Sequence, residues 1–168
     1  MANTTFSGPV RSESTLKTVS KNSSTGAITE VTTLGDGPVS LSDGDVKLTN
    51  ATHSGRVLLV PDGGQDNTYT LPAPIAGSVF RFVYAGGAAD ATDAIILTPG
   101  NTNFFVGGVT FLDTDNEVSA VFSDGNSNSK IQLNVPAGFD VTIIGKDTTN
   151  YQIFGNVTGA TAPTFADQ

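Results

Sequence analysis

Chemistry in this chain would have to start from a small set of residues. The one histidine, His53, lies in Ala51-Thr52-His53-Ser54-Gly55, directly beside a serine. A nucleophilic serine needs its base within hydrogen-bond reach, and adjacent side chains on an extended chain point to opposite faces. No Gly-x-Ser-x-Gly elbow occurs either. His53 therefore reads as a loop histidine in a turn. With one histidine and no cysteine, thiolate sites and zinc sites built on two or more imidazoles are excluded within one chain. Gly145-Lys146 is followed by Asp147 where a phosphate loop needs Ser or Thr.

Two acidic loops offer oxygens at alternating positions: Asp113, Asp115 and Glu117, then Asp124, Asn126 and Asn128. An EF-hand loop needs glycine at its sixth place, where these have Val118 or Ser129. It needs a bidentate glutamate at its twelfth, where these have Asp124 or Val135. A looser cation site in a β-loop stays open, and turn formation is the simpler use of Asp and Asn. Glycoside hydrolysis needs two differently tuned carboxylates. Glutamate is confined to Glu13, Glu30 and Glu117, two of them near the N-terminus. The expectation is a protein that is not an enzyme, with no cofactor and no metal.

The elements that would position such residues are strands. The chain has 168 residues, 19 glycines, 8 prolines and only 14% charged residues, which suits a turn-rich β protein better than helices laced with ion pairs. Aromatic content is mostly phenylalanine, ten against three tyrosines and no tryptophan, and Phe fills a core without a polar tip to satisfy. No apolar run approaches the roughly 20 residues of a membrane span, and the N-terminus has no apolar core of a secretory signal. Net charge is −8, which repels phosphate backbones and argues against nucleic acid as a partner. Residues 1–33 carry Arg11, Lys17 and Lys21 against Glu13 and Glu30, a net of +1. The remainder carries five basic and fourteen acidic residues, a net of −9.

Residues 1–40 are rich in Ser, Thr, Asn and Gly with isolated apolar residues, too few to offset the entropy of ordering the segment alone. They are expected to form a flexible N-terminal arm, in which Ala27–Leu34 becomes a strand if a partner edge is offered. Residues 41–168 form the body. Short strands are predicted at Val46–Leu48, Arg56–Val60, Tyr69–Leu71, Val79–Tyr84, Ala94–Thr98 and Asn103–Leu112, with Gly107-Gly108 as a bulge or bend. Val118–Phe122 is expected to turn Val118, Ala120 and Phe122 inward, with Val121 an imperfect outer residue. Ile131–Val135, Phe139–Ile144 and Tyr151–Val157 complete two hairpins. Phe80, Phe82 and Tyr84 share one face of their strand while Val79 and Val83 occupy the other, interrupted by Arg81. Such a strand is expected to be covered on both sides, by a second sheet or another subunit. Pro72-Ala73-Pro74-Ile75-Ala76-Gly77 reads as a stiff crossover between sheets. The fold class is all-β: an antiparallel sandwich, jelly roll or small barrel with an extended N-terminal arm.

The stretches MANTTFSGPVRSE, YTLPAPIAGSVFRFVY, NTNFFVGGVTFLDTDN, VFSDGNSNSKIQLNVP and TAPTFADQ together resemble small structural proteins of tailed bacteriophages, those of marine phages in particular. Within that group the chain resembles the head decoration, or cement, proteins. The resemblance implies an all-β body on the outer surface of an assembled capsid, commonly as a homotrimer, with a terminal arm that orders on the shell. It implies the major capsid protein as partner, no membrane, and a place on the virion exterior after synthesis in the host bacterial cytoplasm. Phe6, Pro9, Val10 and Arg11 are the arm residues expected to touch the capsid. The alternative is a head-fibre or receptor-binding module, using Tyr84 or the Asn-rich loop 126–128.

Overall fold

The computed structural model of the chain describes residues 18–31, 37–87, 89, 91–115 and 117–168. They fall into two units, one ending at Asp36 and one starting at Gly37. Phe6, Pro9, Val10 and Arg11 lie outside the described residues.

The first unit contains an antiparallel hairpin of β1 (Thr18–Lys21) and β2 (Ile28–Val31). Asn22 closes its turn: its side-chain oxygen accepts from the N–H groups of Ser24 and Thr25 at 2.9 and 3.0 Å. Gly26 supplies the positive φ of 73° that the return needs. The strand expected near residues 27–34 thus finds its partner edge within the same segment.

The second unit is an all-β sandwich of two mixed sheets. Its elements are β3 (Val39–Ser40), β4 (Val46–Lys47), a single helical turn α1 (Asn50–His53), β5 (Arg56–Val60), β6 (Asn67–Thr70), β7 (Val79–Tyr84) and β8 (Ala94–Leu97). These are followed by β9 (Phe104–Asp113), β10 (Val118–Phe122), β11 (Lys130–Leu133), β12 (Pro136–Gly145), β13 (Asn150–Gly159) and β14 (Thr164–Ala166). One sheet has the order β10-β9-β13-β12-β7-β5-β3, the other β14-β11-β8-β6-β4.

The expectation of purely antiparallel sheets needs correction. From β3 to β8 the chain alternates between the sheets at every connection. Successive strands of one sheet therefore run the same way: β3, β5 and β7 are parallel neighbours, as are β4, β6 and β8. The segment winds as three stacked coils, and each coil sends one strand to each sheet. Antiparallel pairing holds between β9 and β10, β12 and β13, and β8, β11 and β14, and again where β12 lies against β7. β9 and β13 are parallel. Period-two alternation gives each residue's face but is blind to strand direction, so the sequence pattern suits either pairing.

The core fills the space between the sheets. Leu58, Phe80, Phe82, Val141, Ile143, Tyr151 and Ile153 of the larger sheet are fully buried, as are Tyr69, Ile131 and Leu133 of the smaller. The rings of Tyr69 and Phe82 meet across the layers at 6.1 Å, and Tyr151 lies 6.4 Å from both Phe80 and Phe105. The 71–78 connector crosses between the sheets, as its prolines suggested, and is held on both sides. Gly77 N–H donates to Gly145 O and Gly145 N–H donates to Ser78 O, each at 2.8 Å, while the Tyr151 hydroxyl donates to Pro72 O at 2.8 Å. Where β9 passes β13, registered pairing lapses between Gly107–Ile153 and Thr110–Asn156, with positive φ at Gly107 and Gly155. The bend expected at Gly107-Gly108 is there.

Burial pushes the Tyr151 phenol far above its ordinary value of 10.0. The unfolded phenol ionises near that value while the folded one stays protonated, so its contribution is whole below pH 10 and is lost as pH rises above it. Tyr151→Phe is expected to cost about 1 kcal/mol at neutral pH through the lost hydrogen bond. It should also flatten the fall in stability above pH 10, read by urea unfolding at pH 8, 10 and 11 beside the wild type. An unchanged alkaline slope would contradict this assignment.

Candidate functional site

The strand directions divide the body into two chemically different ends. Loops 41–45, 61–66 and 85–93 follow β3, β5 and β7 and lie at one end. The start of β12 joins them because it is antiparallel to β7, and the β9–β10 turn follows because Asp113 pairs with Gly159 and Gly159 with Pro136. This end carries Asp43, Asp45, Asp62, Asp66, Asp93, Asp113, Asp115 and Glu117, with no lysine or arginine among its described residues. The opposite end carries Lys47, Arg56, Lys130 and Lys146 against Asp124, Asp147 and Asp167. Gly37, the first residue of this unit, is at that second end, where its carbonyl accepts from Arg56 Nε at 2.9 Å. So is the chain's last residue: Gln168 N–H donates to Ser129 Oγ at 3.0 Å.

The aspartates of the acidic end tie one coil to the next. Asp43 Oδ2 accepts from Gly64 N–H and Asp45 Oδ1 from Thr68 N–H, both at 3.1 Å. Asp66 Oδ1 accepts from Asp93 N–H at 2.9 Å. Asp93 reaches β11, accepting from Gln132 Nε2 at 2.7 Å and from Val135 N–H at 2.9 Å. Buried Asn67 accepts from Gly44 N–H at 2.6 Å. Corner amides that leave a strand ladder need acceptors, and these carboxylates supply them. Val135 is held here at a φ of +40°, which is unusual for a β-branched residue.

The two loops tested for calcium are likewise turned inward on themselves. Asp124 Oδ1 accepts from the N–H groups of Asn126, Ser127 and Asn128 at 3.1, 3.0 and 3.1 Å, and its second oxygen accepts from the Ser127 hydroxyl. The Ser127 hydroxyl first, then the loop N–H groups, hold the Asp124 carboxyl well below the usual carboxylate range. Asp113 accepts from Asp115 N–H at 2.9 Å. Among the described residues, no group of three or more His, Asp or Glu side chains is placed to hold a metal ion.

His53 closes α1, its Nδ1 3.0 Å from Thr49 N, while Ser54 Oγ accepts from Val79 N–H at 3.2 Å. The two side chains serve separate structural bonds. Arg81, which interrupts the outer face of β7, forms a two-point pair with Asp140 on β12 (Nε–Oδ1 2.8 Å, Nη2–Oδ2 2.5 Å). Its hydrogen bonds and charge hold the Asp140 carboxyl below its ordinary value. Val79 and Val83, expected to be covered, lie partly exposed beside this pair. Tyr84 packs against Phe139 at 5.6 Å.

The largest departure from the sequence reading is at β10. Val118 and Phe122, expected inward, are 70% and 71% exposed, and Ala120 is exposed too. Val121 is the residue that packs on the core. β10 is the edge strand of the larger sheet, and its alternation fixed two faces without saying which one the second sheet covers. The odd Val121 was the signal. No pocket is present among the described residues. A scan against protein-family models and a search of curated proteins find no match to this chain.

Proposed function

We propose that this chain is a virion structural protein that binds the outer surface of an assembled phage capsid and stabilises the shell. The reading starts from the resemblance carried by the stretches quoted above. The observation that supports it most is the polarity of the body. Within the body, Gly37 lies at the end that holds Lys47, Arg56, Lys130 and Lys146, while eight of the described acidic residues gather at the far end. Like-charge repulsion between such acidic ends keeps assembled particles apart. The working residues of the N-terminal segment are Phe6, Pro9, Val10 and Arg11, and the partner is the major capsid protein.

Stabilisation follows by linkage. A protein that binds the assembled shell and not its dissociated subunits favours the shell by mass action, and many modest contacts on one particle add through multivalency. The test is antibody labelling of virions that carry the protein, under the electron microscope. Dense, regular label over the head is the expected result. Label confined to the tail or to sparse fibres would overturn the decoration reading in favour of a receptor-binding module.

A further inference from the structure

We infer that β10 is a self-association edge, at which two copies of this chain pair antiparallel about a twofold axis and continue the larger sheet from one copy into the other. The inference does not rest on the virion reading. Natural sheets blunt their edges with short strands, charges or prolines. The other edge strands of this body follow that rule in length, with two residues each in β3 and β4 and three in β14. β10 has five residues, Val118-Ser119-Ala120-Val121-Phe122, with no charge and no proline.

Its backbone and its side chains make the same offer. The bonds from Asp113 N–H to Glu117 O and from Ser123 N–H to Gly107 O, both 2.9 Å, bracket its pairing with β9. Alternation between these brackets commits Ser119 and Val121 to β9 and directs the N–H and C=O groups of Val118, Ala120 and Phe122 to the open edge. The same three residues expose their side chains on one face. Leu112 is their neighbour there and Phe154 lies one strand further in, 37% and 47% exposed.

The edge register fits a second copy of the same strand, and charge sets its direction. The chain carries −8 overall, so a second copy is best received where the strand itself is uncharged. A parallel arrangement would set the two acidic ends side by side, whereas an antiparallel one points them in opposite directions. Centred on Ala120, the twofold places Val118 of one copy opposite Phe122 of the other. All three free N–H groups of each copy then meet free carbonyls, and the apolar side chains meet across the seam. One strand and this patch make a small interface, so the association is concentration-dependent.

Sedimentation of the full chain over a range of concentrations tests this. The wild type is expected to approach twice the monomer mass as concentration rises. Ala120→Pro removes an N–H that β9 does not use, so the monomer should keep its melting midpoint and lose the doubled mass. Phe122→Lys, whose side chain is already in solvent, should lose it as well and decides the matter if the proline variant misfolds. A wild type that stays monomeric at the highest concentration, that forms trimers, or whose dimer persists in a folded variant overturns the inference.

Discussion

Replacing Phe82 by alanine is expected to remove about 3–5 kcal/mol of folding free energy and to lower the melting midpoint by roughly 10–15 °C. Phe82 is fully buried on β7, between Leu58 of β5 and Val141 of β12, both also fully buried. Its ring faces Tyr69 of the opposite sheet. Truncation empties a volume between two layers that are each fixed by hydrogen-bonded neighbours on both sides, so neither layer can sink to close it. The transfer and cavity contributions then add. Phe154→Ala, on a half-exposed ring of the outer face, should stay within about 0.5 kcal/mol. Denaturant unfolding of the two variants beside the wild type decides. A loss below about 1 kcal/mol at Phe82 would mean that the sheets are not packed through this ring.

Gly145→Ala is the second large effect, at about 3 kcal/mol, the upper end for overpacking. A Cβ at residue 145 would stand 2.1 Å from Ile75 O and 2.5 Å from Ser78 Oγ. The connector cannot retreat without giving up the bonds that Gly145 makes to Gly77 and Ser78. The clash is therefore with backbone held at both ends, not with the tip of a flexible side chain. Gly138→Ala, on the same strand with nothing within 4 Å of its added carbon, is the control and should be near neutral. Equal midpoints for the two variants would show that the connector can move freely.

The strands themselves were legible in the sequence because a strand that buries one face writes its alternation into the chain. Arg56–Val60, Val79–Tyr84 and the 136–159 hairpin stand close to where the pattern put them. The crossover at Pro72–Gly77 was readable too, since proline cannot continue a ladder. Strand direction was not legible. Val39, Leu58 and Phe82 are register partners in parallel strands, and nothing local to those residues distinguishes that from antiparallel pairing. Nor could alternation alone say that Val118 and Phe122 face solvent, because coverage depends on where the second sheet ends. The acidic end is the subtler case. Asp43, Asp66 and Asp93 lie far apart in sequence, and each accepts a hydrogen bond from a distant loop or strand rather than from its own turn. Only the coil stacking brings them to the same end.

The position of β13 has a consequence for how the chain reaches this state. β13 lies between β9 and β12, so β9 and β10 are joined to the rest of their sheet only through a strand that begins 46 residues after β9 does, the separation of Phe104 and Asn150 in sequence. Until residues 150–159 have left the ribosome, β9 and β12 each present an unfilled edge. The coils of residues 39–97 likewise await β11 and β12 to close them. Acquisition of the native sheet is thus a late event governed by long-range loop closure, and refolding in the millisecond-to-second regime of non-local β topologies follows.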